Sequence, residues 1–172
     1  MDRPEVAALV AVMGETGIRK SEALFLEWDG ISVPERVLSV GRTKNQRVRH
    51  IPLSEFALDW LQRLVRHLHC PYVFVSSQTN QRWVNPEKAF KRGAVKAGLN
   101  WVGFHDLRRF RATHWLRLGV DVRTVKDLLG HRDIQTTMRY ALFVSDHAVR
   151  SVRDAQRLEE GECTNTERVK SG

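Results

Sequence analysis

Cysteine, which can cross-link a small fold or hold a metal, is scarce in this sequence. The two cysteines, Cys70 and Cys163, are too few for a disulfide framework or a four-thiolate zinc site. No apolar run approaches the ~20 residues that a helix needs to cross a bilayer, and neither a signal peptide nor a lipidation motif is recognisable. We therefore expect a cytoplasmic protein with no membrane role.

Acidic residues are in the minority, and tyrosine occurs only twice. Asp and Glu number 20 against 28 Lys and Arg, which leaves a net charge of +8. The carboxylates are not clustered as a metal-dependent nuclease requires, and His67, His69 and Cys70 lack a recognisable fourth ligand. We expect neither a metal nor another cofactor. Of the two tyrosines, Tyr72 lies in an apolar stretch and is predicted to be core, which leaves Tyr140 for chemistry.

Positive charge is in excess, and two segments concentrate it. Residues 101–140 carry eight Arg and Lys against four Asp, together with three His. Residues 41–50 add four basic side chains and no acid. Such a surplus favours a polyanionic partner through counterion release, although bulk charge alone can also serve solubility. We expect a nucleic acid as the partner.

Periodicity and capping residues predict one domain of the α+β class, mostly α-helical with a small antiparallel β-sheet. A helix from Pro4 to about Met13 precedes a second at 18–28, and strands are predicted at 31–33, 37–40 and 48–52, with a hairpin turn at 43–46. Ser54 caps a long helix with an apolar stripe of Phe56, Trp60, Leu61, Leu64, Val65 and Leu68. A further strand is predicted at 72–75. Helices follow at 86–96, with Asn85 as N-cap, and at 105–118, 122–129, 134–142 and 145–158.

An ordered set of cationic, imidazole and phenol side chains occupies the C-terminal half. It reads His105-Asp106-Leu107-Arg108, then Leu129-Gly130-His131, then Arg139-Tyr140. A phenol titrates near ~10, so it becomes a useful nucleophile only where a base takes its proton and fixed cations absorb charge on phosphate oxygens. The set therefore points to phosphodiester chemistry, with Tyr140 as the candidate nucleophile.

Four blocks of the sequence resemble the catalytic domain of the tyrosine recombinases, the phage-integrase family. They are Thr16-Gly17-Ile18-Arg19-Lys20-Ser21-Glu22-Ala23-Leu24, then Thr43-Lys44 ahead of Arg49-His50-Ile51-Pro52-Leu53, then His105 to Arg108 with Leu128 to His131, and finally Ile134 to Tyr140. The resemblance implies that domain's fold and a site-specific recombinase (integrase) that cleaves and rejoins double-stranded DNA through a covalent 3′-phosphotyrosyl intermediate. It also implies that no cofactor is needed, and that the full-length protein self-associates as a tetramer on DNA.

The resemblance also assigns roles to the polar positions in the first two blocks. It implies that Arg19 binds the scissile phosphate while Glu22 holds Arg19 in place. By themselves, the two residues would be read as a solvated ion pair one helical turn apart. Lys44 is implied as the general acid that protonates the departing 5′ oxygen, although alone it would be read as an exposed turn lysine.

Later blocks supply the remaining members of the site. The resemblance implies that Arg108 binds the same phosphate and that His105 is a hydrogen-bonding or general-base group near Tyr140, the nucleophile. His131 is implied as a contact of the phosphate or of the tyrosine. Six further arginines are expected to contact DNA: Arg42, Arg47, Arg49, Arg109, Arg132 and Arg139.

Residues 1–158 are expected to form the catalytic domain and residues 159–172 a polar, flexible tail, with the family's N-terminal core-binding domain absent. Arg111 stands where relatives commonly carry an apolar residue, which predicts either a rotated helix or a DNA contact by Arg111. Helix 145–158 is expected to pack either on its own domain or on a neighbouring protomer. Two other functions stay open: a DNA-binding module that has lost catalysis, and strand relaxation of the type IB topoisomerase kind.

Overall fold

A computed structural model describes residues 4–41 and 48–142, together with positions 144, 152 and 156. Its helices are α1 (Pro4–Thr16), α2 (Lys20–Leu24), α3 (Glu55–Gln62), α4 (Glu87–Lys96), α5 (Phe104–Arg117) and α6 (Val122–Leu129). Its strands are β1 (Ile31–Ser32), β2 (Val37–Val40) and β3 (Arg49–Pro52). Residues 135–142 are also helical. The predicted class, mostly α-helical with a small antiparallel sheet, is confirmed.

Helix α1 is the central element of the main core. Its sequence is apolar around most of its circumference, which is typical of a helix enclosed on all sides. Leu9 and Val12 are fully buried, and the helix packs against both α3 and α5. The predicted helix ended near Met13, but the observed one continues through Gly14 to Thr16, where the Thr16 hydroxyl donates to the Val12 carbonyl. Its C-terminal end thereby reaches the polar site described below.

Helix α2 is much shorter than the predicted helix at 18–28. It covers only residues 20–24, and a 3₁₀ turn follows at Trp28–Gly30. The reason is tertiary, because the Leu26 carbonyl accepts from Val73 N at 2.8 Å and Trp28 N donates to the Pro71 carbonyl at 3.0 Å. Backbone groups that would continue a helix are thus used for pairing with a distant segment. In place of the predicted strand at 72–75 there are two isolated bridges, Glu27 with Tyr72 and Val75 with Arg82.

The sheet has the order β1-β2-β3 and is antiparallel throughout. Leu38 lies opposite Ile51 in the β2–β3 register, and both side chains are fully buried against the main core. The three strands predicted for this sheet are present, each within about one residue of its predicted bounds. The predicted hairpin turn at 43–46 lies outside the described residues. Strand β3 begins at Arg49 and carries that side chain towards the end of α6.

Helix α3 corrects the prediction of a long amphipathic helix. Ser54 does cap it, since its hydroxyl accepts from Ala57 N at 3.2 Å, but the helix ends at Gln62. The buried residues are Ala57, Leu58 and Leu61, whereas Phe56, Val65 and Leu68 of the predicted stripe are exposed. Three members of the stripe are confirmed, since Leu61 is buried and Trp60 and Leu64 pack against the core. The other three were wrong because only the face towards α1 is covered and the helix ends before Val65.

Helix α6 begins and ends at its predicted capping residues, whereas the N-cap of α4 differs from the predicted one. Asp121 accepts from Arg123 N at 2.8 Å and Thr124 N at 3.2 Å, which fixes the start of α6. Gly130 ends α6 with a φ of 66°, the left-handed conformation that glycine adopts at little cost. At α4, Pro86 rather than Asn85 occupies the N-cap position. The segments 145–158 and 159–172 lie outside the described residues apart from positions 152 and 156, so their predicted structures are untested.

Candidate active site

The turn between α1 and α2 places the Gly17 carbonyl beside the side chain of Arg108. Gly17 has a φ of 65°, and a Cβ there would lie 2.6 Å from Cδ2 of Leu129. Only glycine fits this conformation and this closeness. The Gly17 carbonyl accepts a hydrogen bond from Nη1 of Arg108 at 2.7 Å. The turn therefore connects α1 directly to α5 and α6.

Arg19 and Glu22 form a tight pair at the start of α2. Glu22 accepts from the Arg19 backbone N–H at 2.7 Å and from its Nη1 at 2.9 Å. The first bond satisfies a backbone donor that a helix start leaves open, as in a capping box. Glu22 also accepts from Nη2 of Arg49 at 2.7 Å. One carboxylate is thus shared by two guanidinium groups, and the Arg19 side chain remains 42% exposed beside it.

Three arginines from three different elements meet at the C-terminal end of α6. Arg49 Nε donates to the Leu128 carbonyl at 2.9 Å, Arg108 Nη2 to the Leu129 carbonyl at 2.7 Å, and Arg19 Nη2 to the Gly130 carbonyl at 2.8 Å. We call these three successive acceptors, Leu128 to Gly130, the carbonyl cluster. The last carbonyls of a helix have no partner within it and carry the negative end of its dipole. The cluster therefore suits guanidinium donors on both counts.

Positive charge exceeds negative charge where the three arginines meet Glu22. Burial is the main cause that lowers the pKa of Arg108 to about 10, and the Arg19 charge acts in the same direction. The side chain is still protonated at neutral pH. Burial tends to raise the pKa of Glu22, but the hydrogen bond from Arg49 and the one from the Arg19 backbone outweigh it, so the pKa is lowered overall. Three cations thus share one ionised carboxylate, and the pocket has a surplus of positive charge that suits an anion.

His131 follows the carbonyl cluster directly and links it to Tyr140. Nδ1 of His131 lies 2.8 Å from the hydroxyl of Thr137, which is fully buried. The rings of His131 and Tyr140 stack with centroids 6.3 Å apart. Burial lowers the pKa of His131 to about 4, and Arg108 contributes next. The imidazole is therefore neutral at pH 7 and is able to accept a proton or hydrogen bond.

A cleft of about 420 Å³ opens beside these groups. The residues that line it include Arg19, Lys20, Phe104, His105 and Arg108. His105 is exposed to this cleft, and the buried Arg108 reaches it from below. Tyr140 is half-buried and interacts electrostatically with Arg108. Two guanidinium groups and an imidazole thus line one opening, and one of those guanidinium groups interacts with the phenol.

The predicted site residues differ in where the structure places them. Five of the six predicted catalytic residues, Arg19, His105, Arg108, His131 and Tyr140, gather around the end of α6 with Glu22, as described above. The sixth, Lys44, lies outside the described residues, as do Arg42 and Arg47. Arg109, Arg132 and Arg139 are exposed, as DNA contacts require. Arg49 is different, because its side chain is only 12% exposed and is bonded within the protein.

Two features of the site were missed by sequence reasoning. The carbonyl cluster has no side-chain signature, although the Leu128-Leu129-Gly130 helix end was visible. Arg111 was expected to rotate its helix or to contact DNA, yet it is 7% exposed, its Nε donates to the Gly14 carbonyl at 2.7 Å, and it pairs with Glu15. The available signal was a carboxylate, Glu15, near the end of a mostly apolar helix. Tyr72, predicted to be core, is half-buried edge-on to Phe25.

Neither a metal centre nor a membrane span emerges from the described part of the chain. No group of three or more His, Cys, Asp and Glu side chains there is placed to hold a metal ion. No helix among the same residues combines the length and the apolar character that a bilayer crossing requires.

Comparison with known proteins places these features in a family. The profile of the phage integrase family matches residues 3–144. Tyrosine recombinase XerA of Pyrococcus horikoshii is 32% identical over 149 residues, which cover 83% of this chain and 52% of that protein. The crystal structure of XerA recombinase superposes with a TM-score of 0.77 at 28% identity, over 91% of this chain and 58% of that one. XerH recombinase bound to palindromic difH substrate shares the fold, with a TM-score of 0.70 at 21% identity, over 87% of this chain and 45% of that one. The chain thus spans about half the length of the relatives it matches.

Proposed function

The chain belongs to the phage integrase family, and we propose on that premise that it is the catalytic part of a site-specific tyrosine recombinase. Its substrate in this proposal is double-stranded DNA, and residues 1–158 are its catalytic domain. The observation that carries the proposal is the surplus of positive charge on Arg19 and Arg108 at one cleft, together with the electrostatic interaction between Arg108 and Tyr140. A phosphodiester is the anion whose cleavage needs this combination.

The scissile phosphate binds between Arg19 and Arg108 in this proposal. Each guanidinium has five N–H donors, and the bonds described above leave donors of both groups free for nonbridging oxygens. Because the carbonyl cluster and Glu22 hold the two forks in place, they need little reorganisation as charge develops on the phosphate. Loss of one such preorganised donor costs ~10²- to 10³-fold in rate. The exposed Arg109, Arg132 and Arg139 supply contacts along the DNA backbone.

The cleavage step is an in-line displacement at phosphorus. The Tyr140 oxygen attacks, its proton passes to His105 as general base, and the bond from phosphorus to the 5′ oxygen breaks. Lys44 gives the departing oxygen its proton, which leaves a free 5′ hydroxyl and a 3′-phosphotyrosyl linkage. The neutral state of His131 supports a role as a hydrogen-bond partner of the phosphate or of Tyr140. No metal or other cofactor enters the step.

Rejoining is the reverse reaction with a different 5′ hydroxyl. The phosphotyrosyl bond conserves the energy of the cleaved phosphodiester, so no nucleotide cofactor is consumed. Each cleaved strand occupies one tyrosine, and exchange between two duplexes involves four strands. We therefore propose that the whole protein self-associates on DNA as a tetramer, with each copy supplying one Tyr140.

Covalent trapping on nicked DNA tests the proposal. A duplex with a nick next to the cleavage position loses its short fragment after attack and cannot be resealed, so the adduct accumulates on a denaturing gel. We expect an adduct with the unaltered protein and with Tyr72→Phe, and none with Tyr140→Phe, in the presence of chelator. Tyr72→Phe is the matched control because it removes the other tyrosine hydroxyl of the chain.

The same experiment separates the other functions. Intact DNA binding with no adduct from the unaltered protein would identify a module that has lost catalysis. Relaxation of supercoiled plasmid regardless of sequence would identify a topoisomerase-like activity, since a recombinase requires paired, defined sites. An adduct that forms equally well with Tyr140→Phe would refute the assignment of the nucleophile.

A further inference from the structure

Arg49 is bonded within the protein and does not line the cleft. Its side chain is 12% exposed, Nε donates to the Leu128 carbonyl at 2.9 Å, and Nη2 donates to Glu22 at 2.7 Å. Arg19 and Arg108 line the cleft, whereas Arg49 is not among the residues that line it, and its guanidinium is bonded to two partners inside the protein. The two partners belong to different elements, α6 and α2, and Arg49 itself belongs to β3.

Glu22 depends on Arg49 for its own position. The carboxylate is mostly buried, and its bond from Arg49 is the largest of the effects that keep it ionised. The same carboxylate holds Nη1 of Arg19, one of the two proposed phosphate ligands. Loss of Arg49 would leave Glu22 with Arg19 alone as its cation partner, free to turn towards it or to take up a proton. Either change would move the guanidinium group of Arg19.

The end of α6 depends on Arg49 as well. A Cβ placed on Gly130 would lie 2.7 Å from Nη1 of Arg49, so the guanidinium rests directly against the helix end. The two residues after the Leu128 carbonyl are Leu129 and Gly130, whose carbonyls hold Arg108 and Arg19. His131 comes next in the chain. The hydrogen bond from Arg49 to the Leu128 carbonyl therefore helps to position the three carbonyls of the cluster and the imidazole of His131.

We propose that Arg49 is a positioning residue of the proposed recombinase, which fixes Glu22 and the carbonyl cluster so that Arg19 and Arg108 converge on one phosphate. This inference rests on the proposed function for its catalytic consequence. Arg49 itself touches neither DNA nor the reacting atoms. It also joins β3, the strand that follows the segment carrying Lys44, to the phosphate-binding groups.

Arg49→Lys is the discriminating substitution. A lysine keeps the positive charge and can replace arginine as a simple phosphate contact. Its single ammonium group cannot, however, reproduce a planar guanidinium that donates to the Leu128 carbonyl and to Glu22 at the same time. We expect the rate of adduct formation at saturating DNA to fall 10- to 100-fold, while DNA affinity and its salt dependence stay within twofold of the unaltered protein. Arg49→Met should lower the rate further, so that lysine gives partial rescue. Arg36→Lys is the matched control, because Arg36 forms an exposed ion pair with Glu55.

Two results would overturn the proposal. An unchanged rate with Arg49→Lys would show that no fork is required. A loss of affinity with Arg49→Met, accompanied by a salt slope smaller by about 1, would instead identify a direct phosphate contact.

A measurement without catalysis keeps this inference separate from the proposed function. The amides of Gly130 and His131 donate to the carbonyls of Asp127 and Lys126 at 3.0 Å, in the last turn of α6. We expect hydrogen exchange of these two amides to quicken by tenfold or more in Arg49→Lys, with Arg123 and Thr124 at the start of α6 unaffected. If exchange of these amides were unchanged, the claim that Arg49 fixes the end of α6 would be refuted, even if the unaltered protein forms no adduct.

Discussion

Gly17→Ala should be among the most damaging single-methyl additions to this protein. The backbone φ of 65° is the left-handed conformation, which costs an alanine about 1–2 kcal/mol. The added Cβ would also lie 2.6 Å from Cδ2 of Leu129 and 3.4 Å from Cγ of Arg111. Leu129 is fully buried, so its methyl group has little space to move away. Such overpacking adds about 1–3 kcal/mol.

Gly98→Ala and Gly119→Ala are the controls, because they separate the two costs. Both glycines have positive φ, 71° and 82°, but an added Cβ meets nothing within 4 Å at either position. They should lose only the backbone cost of about 1–2 kcal/mol, against about 2–5 kcal/mol for Gly17→Ala. Urea unfolding at equilibrium measures all three, with an unchanged m-value as the check on comparable unfolding.

Activity supplies a second criterion for Gly17. Its carbonyl accepts from Arg108 at 2.7 Å, so a displaced turn moves a proposed phosphate ligand. We expect adduct formation by Gly17→Ala to fall more than tenfold at a temperature where the variant is folded, and that of both controls to remain. If Gly17→Ala were no less stable than Gly98→Ala, the reasoning from contact with Leu129 would be wrong.

Further predictions concern two other polar groups. Arg111→Met leaves Glu15 without its partner at the end of α1, so we expect a loss of about 1–3 kcal/mol in urea unfolding; adding Glu15→Gln should recover part of it, and an undiminished loss in the double variant would contradict the pairing. His131 has a folded pKa of about 4, below its ordinary value of 6.5, so protonation favours the unfolded state. Its contribution to stability is complete above pH ~6.5 and is lost as the pH falls towards 4. Urea midpoints measured across this range should therefore decline in the unaltered protein and decline less in His131→Gln; equal declines would show that His131 is not the group responsible.

Local signals in the sequence were sufficient for several elements and for the family. Asp121 and Gly130 bound α6 as predicted because a cap and a left-handed stop act within a few residues. The strands were readable from their β-branched content and turns. The arginine, histidine and tyrosine blocks identified the family because their order and spacing are preserved along the chain. Chemistry of this kind depends on residue types, and residue types can be read directly from a sequence.

Elements whose ends depend on distant partners were not readable. Helix α2 stops at Leu24 because the next backbone groups pair with residues 71–73, and nothing near Leu24 encodes that. Half of the stripe predicted for α3 is exposed, because burial depends on which face meets α1 and on where the helix ends. Arg111 reads as a surface cation until α5 is laid against the end of α1, where Glu15 and the Gly14 carbonyl receive it.

The sequence by itself determined the fold class, most element positions and the chemical types at the site. Only the tertiary structure decided how those types are held, and the carbonyl cluster is the clearest case. Its acceptors are 111, 79 and 21 residues away in sequence from Arg19, Arg49 and Arg108. Backbone carbonyls are present in every residue, so no pattern of side chains marks the three that will be used. Which arginine is bonded within the protein and which faces solvent is decided by burial and direction, and these exist only once the chain has folded.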